Sequence, residues 1–263
     1  MKIGFIGGGN MAEAILRGLL LAGLADKQDL IVCDKSDAAR EKYIDIKTSR
    51  ENVDALSCDY VFLAVKPSVL PCVLEEIANS GKDITKQVFI SIAAGKTVAS
   101  MREILGENAK IVRVMPNTPA MVLEGMTVVA TKEDNVSQEA FDNVIRFFDA
   151  IGKTEVLPEH MINTVTGLSG SSPAYVFMLI EAMADAGVRD GLPRDAACHL
   201  AAQAVLGSAK MVLESGKHPG ELKDMVCSPN GTTIEAVAEL EKRGFRAAVM
   251  EAIKKCNDKA NRM

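Results

Sequence analysis

Short apolar runs alternate with amphipathic stretches through residues 1–157. Runs with the length and hydrophobicity of buried strands lie at 2–6, 30–34, 60–65, 88–92, 110–115, 126–131 and 153–157. Helix-compatible stretches lie between several of them, at 10–21, 68–79, 97–105 and 137–150. This alternation predicts βαβ units around a parallel sheet, which is an α/β domain over residues 1–157.

The pattern changes at Pro158, after which no strand-like alternation occurs. Helical patterns cover 173–185, 196–213 and 234–241, so residues 158–263 are predicted to form an all-helical second domain. The helix at 196–213 is apolar except for a narrow stripe of His199, Gln203 and Lys210. Such a helix needs cover on most sides. We therefore expect a homodimer, the alternative being a central helix of a monomeric bundle.

A glycine-rich turn follows the first strand. In the pattern Gly7-x-Gly9-x-x-Ala12, Gly7 makes the tight turn, Gly9 lets the backbone approach a pyrophosphate, and Ala12 permits close helix–strand packing. Because the turn joins a strand to an apolar-periodic helix, the sequence predicts a nicotinamide-dinucleotide site.

The end of the second strand bears on the choice of dinucleotide. Asp34 is placed to accept hydrogen bonds from the adenosine ribose and to repel the 2′-phosphate of NADP. Lys35 and Arg40 are close enough in sequence to offset that repulsion. NADPH and NADH therefore both stay open as cofactors.

Three more loops are expected at the same edge of the sheet, at residues 64–67, 92–95 and 115–120. Ala93, Ala94 and Gly95 are small enough to let a flat nicotinamide ring approach the backbone. Asn117 lies between two prolines in a rigid polar corner.

In the second domain, residues 226–233 form a polar turn before a helix. Pro229 cannot continue a helix, and the Asn-Gly pair after it tolerates positive φ. Thr232 or Thr233 stands where an N-cap belongs. Backbone N–H groups and the positive end of the helix dipole then converge on a volume that suits a carboxylate, with the hydroxyl of Ser228 nearby.

Composition and charge exclude several classes of function. The net charge of −5 argues against nucleic acid or an anionic membrane as a partner. The six cysteines form no C-x-x-C pair and only three histidines occur, so no metal site is predicted. No uninterrupted apolar run reaches the roughly 18–20 residues of a membrane span, and the first residues already form a strand rather than a signal peptide. We expect a cytoplasmic protein with reduced cysteines.

These features resemble the pyrroline-5-carboxylate reductase family, which catalyses the last step of proline biosynthesis. The matching stretches are 5–12, 63–67, 113–120, 166–175, 191–193 and, most specifically, 219–241. The resemblance implies a Rossmann-like domain followed by a helical dimerisation domain, with homodimers often assembled into larger rings. It also implies NADPH- or NADH-dependent reduction of the C=N bond of 1-pyrroline-5-carboxylate to L-proline.

The resemblance assigns roles to individual residues. The hydroxyl of Thr233 is the catalytic group that meets the ring nitrogen of the substrate. The substrate pocket is further implied to include Val226, Ser228, Gly231 and Thr232. The implied dinucleotide contacts are Gly7, Gly8, Gly9, Asn10, Met11, Ala12, Val65, Lys66, Pro67, Ala93, Ala94 and Gly95. Asp34, Lys35 and Asn117 are further cofactor-binding candidates because of their expected places at the same edge of the sheet.

Two departures from the family pattern leave the choice of NADPH or NADH open. Asp34 stands where the family usually has an uncharged or basic residue, and Glu51 and Asn52 share the place of an asparagine near the adenosine. Two other functions are weighed. A β-hydroxyacid dehydrogenase-like enzyme would need a catalytic lysine, which the helix at 173–185 lacks. A non-catalytic sensor of dinucleotide redox state is the other.

Overall fold

The computed structural model describes residues 1–262, and an eight-stranded sheet organises the first part of this chain. The strands are β1 (Ile3–Ile6), β2 (Leu30–Cys33), β3 (Lys47–Ser49), β4 (Tyr60–Leu63), β5 (Val88–Ser91), β6 (Lys110–Met115), β7 (Gly125–Ala130) and β8 (Gly152–Leu157). Their order across the sheet is β3-β2-β1-β4-β5-β6-β7-β8. The order reverses beside β1, which is the place where open α/β sheets bind ligands.

The predicted parallel pairing is confirmed from β3 through β6. β7 instead runs antiparallel to β6, with Val114 opposite Val129, and β8 is parallel to β7. The reversal follows from the connection: residues 116–124 hold a short 3₁₀ turn rather than the crossover helix that a parallel strand requires. The edge strand β3 was not predicted, because it is short and polar.

The helices are α1 (Asn10–Leu21), α2 (Asp37–Arg40), α3 (Leu70–Ala78), α4 (Val98–Leu105), α5 (Gln138–Asp149), α6 (Ile162–Val165), α7 (Ser172–Arg189), α8 (Arg194–Ser215), α9 (Pro219–Val226), α10 (Thr232–Lys242) and α11 (Phe245–Ala260). Two apolar clusters cover the two faces of the sheet. One packs α1 and α5 against Phe5 and Phe62, whose rings stack at 4.7 Å. The other packs α3 and α4 against Leu63 and Phe89.

The chain forms two compact units. The first comprises residues 1–171 and the end of the chain from Cys256 onward, and the second comprises residues 172–255. The domain boundary predicted after Leu157 marks the end of the sheet, whereas the first compact unit also includes the short helical turns that follow. Asn257 helps to hold those turns, since its Oδ1 accepts a hydrogen bond from the Gly167 N–H at 2.8 Å.

In the second unit, α7 and α8 pack on each other as a helical hairpin. Both are longer than the sequence pattern predicted. Among the described helices, α8 has the length and apolar composition of a membrane span. Only 11% of its most apolar stretch is buried within the chain. The predicted need for cover is therefore not met by the chain itself.

A buried ion pair ties the sheet to the turns that follow it. The side chain of Arg113 in β6 is 2% exposed. It donates to Glu159 Oε1 at 3.3 Å and to Asn163 Oδ1 at 2.7 Å. Glu159 Oε1 also accepts the N–H of Val98, at 2.7 Å. Burial lowers the pKa of the Arg113 guanidinium, and the charge of Glu159 counteracts that effect.

We expect Glu159→Ala to lower the free energy of unfolding by about 2–4 kcal/mol, because it leaves the Arg113 charge buried without a counter-ion. Urea denaturation followed by circular dichroism measures the change. Glu155→Ala, an exposed glutamate on β8, is the matched control and should change stability by less than about 0.5 kcal/mol. Equal effects of the two substitutions would contradict a structural role for the pair.

Candidate active site

The turn between β1 and α1 has the geometry that its glycines predict. Gly7 has φ of +101°, and its N–H donates to the carbonyl of Cys33 at 2.8 Å. A Cβ on Gly7 would lie 2.5 Å from the carbonyl oxygen of Ala64, whereas a Cβ on Gly9 would meet nothing within 4 Å. The first glycine is thus required by β4, and the second leaves open backbone beside the turn.

The start of α1 offers donors to an anion. Its N-cap is Gly9, and no side chain among the described residues caps the first turn. Backbone N–H groups in the first turn of a helix have no intrahelical acceptor, and the helix dipole is positive there. Ala12 is fully buried against the core, as its place in the fingerprint predicts. A pyrophosphate fits these uncapped donors.

A groove of about 340 Å³ runs along the carboxyl ends of β1, β2 and β4. Six of the predicted dinucleotide residues line it: Gly7, Gly9, Asp34, Lys35, Val65 and Lys66. Of the others, Gly8 lies in the turn, Asn10, Met11 and Ala12 begin α1, and Pro67 follows Lys66. Direct contact of each with a dinucleotide stays a prediction.

The groove is also lined by Cys33, Asn52 and Ala64, and by four residues that no motif pointed to, Val69, Cys72, Val73 and Glu76. Asn52 is 4% exposed and donates from Nδ2 to Glu76 Oε2 at 2.9 Å. Of the two residues that share the expected asparagine position, the structure therefore places Asn52 at the groove. Burial raises the pKa of the Cys33 thiol to about 12, so this thiol is neutral and not a nucleophile.

The loop after β5 is a tight backbone turn, whereas the loop after β6 holds a side-chain amide whose oxygen and nitrogen are both hydrogen-bonded. Ala93 is buried and Gly95 has φ of +74°, so the backbone of 93–95 turns tightly at the end of β5. The amide of Asn117 is bonded at both ends: Oδ1 accepts from the Met126 N–H at 2.8 Å, and Nδ2 donates to the carbonyl of Ser169 at 3.0 Å. Asn117 thus holds the strand reversal together, and its contact with a dinucleotide stays a prediction.

The polar turn of the second unit connects α9 to α10. Asn230 has φ of +57°, which confirms the positive φ predicted for the Asn-Gly pair. The N-cap is Gly231 in extended conformation, so the prediction that Thr232 or Thr233 is the N-cap was wrong by one or two residues. The left-handed Asn230 already brings the chain to the cap at Gly231, and both threonines therefore belong to the first helical turn.

The start of α10 also leaves donors free. No side chain in the described part of the chain caps it. A Cβ on Gly231 would lie 2.3 Å from Ser228 Oγ, so the Ser228 hydroxyl lies beside the N-cap of α10 in space that a larger residue would occupy. Thr233 is half-buried, and Val226 is exposed at the end of α9. The turn thus combines hydroxyls with uncapped N–H groups, which is the chemistry of a carboxylate site.

The three histidines lie apart from these features. His218 caps α9, with Nδ1 accepting from the Gly220 N–H at 3.1 Å, while His160 and His199 are exposed. In residues 1–262, no group of three or more His, Cys, Asp or Glu side chains is arranged to hold a metal ion. The arrangement supports dinucleotide binding in the first unit and anion binding in the second.

Family models match both parts of the chain. Residues 159–263 match the model for pyrroline-5-carboxylate reductase dimerisation, and residues 2–95 match that for NADP oxidoreductase, coenzyme F420-dependent.

Full-length relatives give the same result. The chain is 51% identical to the pyrroline-5-carboxylate reductase of Escherichia coli (strain K12), over 100% of this chain and 98% of that protein. It is 41% identical to that of Methanosarcina acetivorans, over 100% and 97%. The crystal structure of Plasmodium falciparum pyrroline carboxylate reductase with NADP bound superposes with a TM-score of 0.91, at 32% identity and over 99% and 97% of the two chains. The chain belongs to the pyrroline-5-carboxylate reductase family.

Proposed function

We propose that this protein reduces the C=N bond of 1-pyrroline-5-carboxylate to give L-proline, with NADPH or NADH as the hydride donor. The observation that carries the proposal is the uncapped, hydroxyl-rich start of α10, which suits the carboxylate of such a substrate. The uncapped start of α1 beside the groove supports dinucleotide binding.

The substrate is a cyclic imine that is basic enough to be partly protonated near neutral pH. A bound reduced nicotinamide supplies the hydride. The protein then has to bind the carboxylate, exclude water and orient the ring nitrogen. The N–H of Thr232 and the Ser228 hydroxyl bind the carboxylate, and Val226 contributes an apolar side of the pocket. Gly231 closes the turn, since its N–H donates to the carbonyl of Ser228 at 3.1 Å. The hydroxyl of Thr233 orients the ring nitrogen and its proton.

Particular residues argue against the two alternative functions. The chemistry of a β-hydroxyacid dehydrogenase needs a lysine on the helix after the domain boundary, and α7 contains none. A non-catalytic dinucleotide sensor would have no use for the start of α10. An assay that follows NADH and NADPH absorbance with 1-pyrroline-5-carboxylate separates enzyme from sensor, since a sensor consumes neither cofactor.

We propose that the helical second domain, taken as residues 158–263, forms a homodimer that can assemble into larger rings. Leu206 is 57% exposed and lies on the side of α8 opposite the buried Ala197. Further large apolar side chains exposed on α7 and α8 are Phe177, Met178, Leu200, Met211 and Leu213. Cover by a second copy removes this surface from water without a membrane. We also propose a cytoplasmic location.

The variant Thr233→Ala should lower kcat/KM for the imine by about 10- to 100-fold, because the group that orients the ring nitrogen is lost. Steady-state kinetics with saturating cofactor measure the effect, and calorimetry should show unchanged dinucleotide affinity. The control is Thr154→Ala, which removes a hydroxyl on β8 that donates to Asp149 at the end of α5, and it should keep wild-type turnover. Full activity of Thr233→Ala would remove this residue from the site.

Light scattering on the purified protein should give at least about twice the chain mass of 28.1 kDa at micromolar concentration. Leu206→Glu should shift the mass toward the monomer and lower Tm by several degrees, since a charge would be buried in the interface.

Lys27→Gln in the first unit is the control. It removes an exposed pair with Asp45 and should leave the mass unchanged. A wild-type mass near that of one chain would refute the dimer.

A further inference from the structure

The carboxylate of Asp34 is fixed in place at the groove. Its Oδ2 accepts the N–H of Gly8 at 2.7 Å, and its Oδ1 accepts the N–H of Ser36 at 2.8 Å. The backbone is held as well, because the Asp34 N–H donates to the carbonyl of Ser49 at 3.0 Å. The side chain therefore cannot rotate away from a group that enters the groove. Each oxygen keeps lone-pair capacity for a ribose hydroxyl.

The arginines near Asp34 are already neutralised by the protein. Arg40 donates to the backbone carbonyl of Asp34 and to the carboxylate of Asp37. Arg50 donates to both oxygens of Asp37, at 2.6 and 2.5 Å. The hydrogen bond from Arg50 lowers the pKa of Asp37, so this carboxylate stays ionised at neutral pH. Both guanidinium groups therefore already have the carboxylate of Asp37 as a partner.

Lys35 is also paired. Its Nζ lies 3.4 Å from Glu76 Oε2, and Glu76 itself lines the groove. This pair is weak, since the Lys35 side chain is 76% exposed. Lys35 pairs with Glu76, and Arg40 and Arg50 both pair with Asp37. With the carboxylate of Asp34, the region holds three cations and three carboxylates and has no excess positive charge.

We propose that this protein selects NADH over NADPH and that the fixed carboxylate of Asp34 determines the selection. The inference rests on the proposed function in taking the groove as the dinucleotide site. A 2′-phosphate carries nearly two negative charges and would face a carboxylate that cannot move away. The 2′-hydroxyl of NADH instead donates a hydrogen bond to Asp34.

Calorimetric titration of the wild-type protein with NADH and with NADPH, without substrate, tests the proposal directly. NADPH should bind roughly 10- to 100-fold more weakly at low ionic strength, and added salt should narrow the difference by screening the repulsion. Asp34→Ser should bring the two dissociation constants to within about threefold of each other, mainly through tighter binding of NADPH.

The control is Asp29→Asn, which removes an acidic side chain at the opposite end of β2 and should keep the wild-type ratio. Asp34→Ser also loses the hydrogen bond from the Gly8 N–H. If that variant binds neither dinucleotide, the ratio of the two dissociation constants in the wild type, and its dependence on salt, decide whether the proposal holds. Equal or tighter binding of NADPH by the wild type overturns the proposal. If Lys35→Ala then weakens NADPH alone, Lys35 is the determinant instead.

These titrations, together with the absorbance assay on 1-pyrroline-5-carboxylate, separate this inference from the proposed function. A wild-type protein that prefers NADPH and reduces the imine contradicts only the selection. A protein that binds neither dinucleotide contradicts both.

Discussion

The close approach of the turn after β1 to the end of β4 is the constraint on which the groove depends. Gly7 has φ of +101°, and a Cβ at this position would lie only 2.5 Å from the carbonyl oxygen of Ala64. This approach sets where α1 starts and hence where its uncapped N–H groups lie. It also fixes the N–H of Gly8, which holds the carboxylate of Asp34. The donors proposed for a pyrophosphate and the acceptor proposed for a ribose thus depend on one glycine.

In the first unit, the elements that could be predicted from the sequence are those whose residues are buried. Strands such as β4 and β5 are covered on both faces and read as unbroken apolar runs. β3 gave no such signal, because it is an edge strand with half-exposed polar residues. The antiparallel direction of β7 could not be predicted either, since strand direction depends on the length and structure of a connection rather than on the strand's own residues.

The candidate site divides in the same way. The glycine turn was predictable because a positive φ and a close backbone approach admit few residues. The pairing of Asn52 with Glu76 was not predicted, because the two residues are 24 positions apart in sequence and meet only once the chain has folded. The sequence left the asparagine position shared between Glu51 and Asn52, and Glu76 belongs to no motif. The N-cap of α10 was predicted one or two residues too late, because Gly231, Thr232 and Thr233 are three successive residues that all suit an N-cap. The left-handed conformation of Asn230 makes Gly231 the cap.

The second unit explains why assembly and function belong together in this chain. Its buried apolar side chains are Ala184, Ala197, Ala201 and Leu222, which among them remove little area from water. The first unit, by contrast, has a core of stacked and edge-packed aromatic rings. A unit with so small a core cannot offset the conformational entropy of ordering its long helices. The large apolar side chains exposed on α7 and α8 are the missing part of that core. Burial of these side chains by a second copy would stabilise the unit that carries α10, so the geometry of the polar turn would depend on assembly.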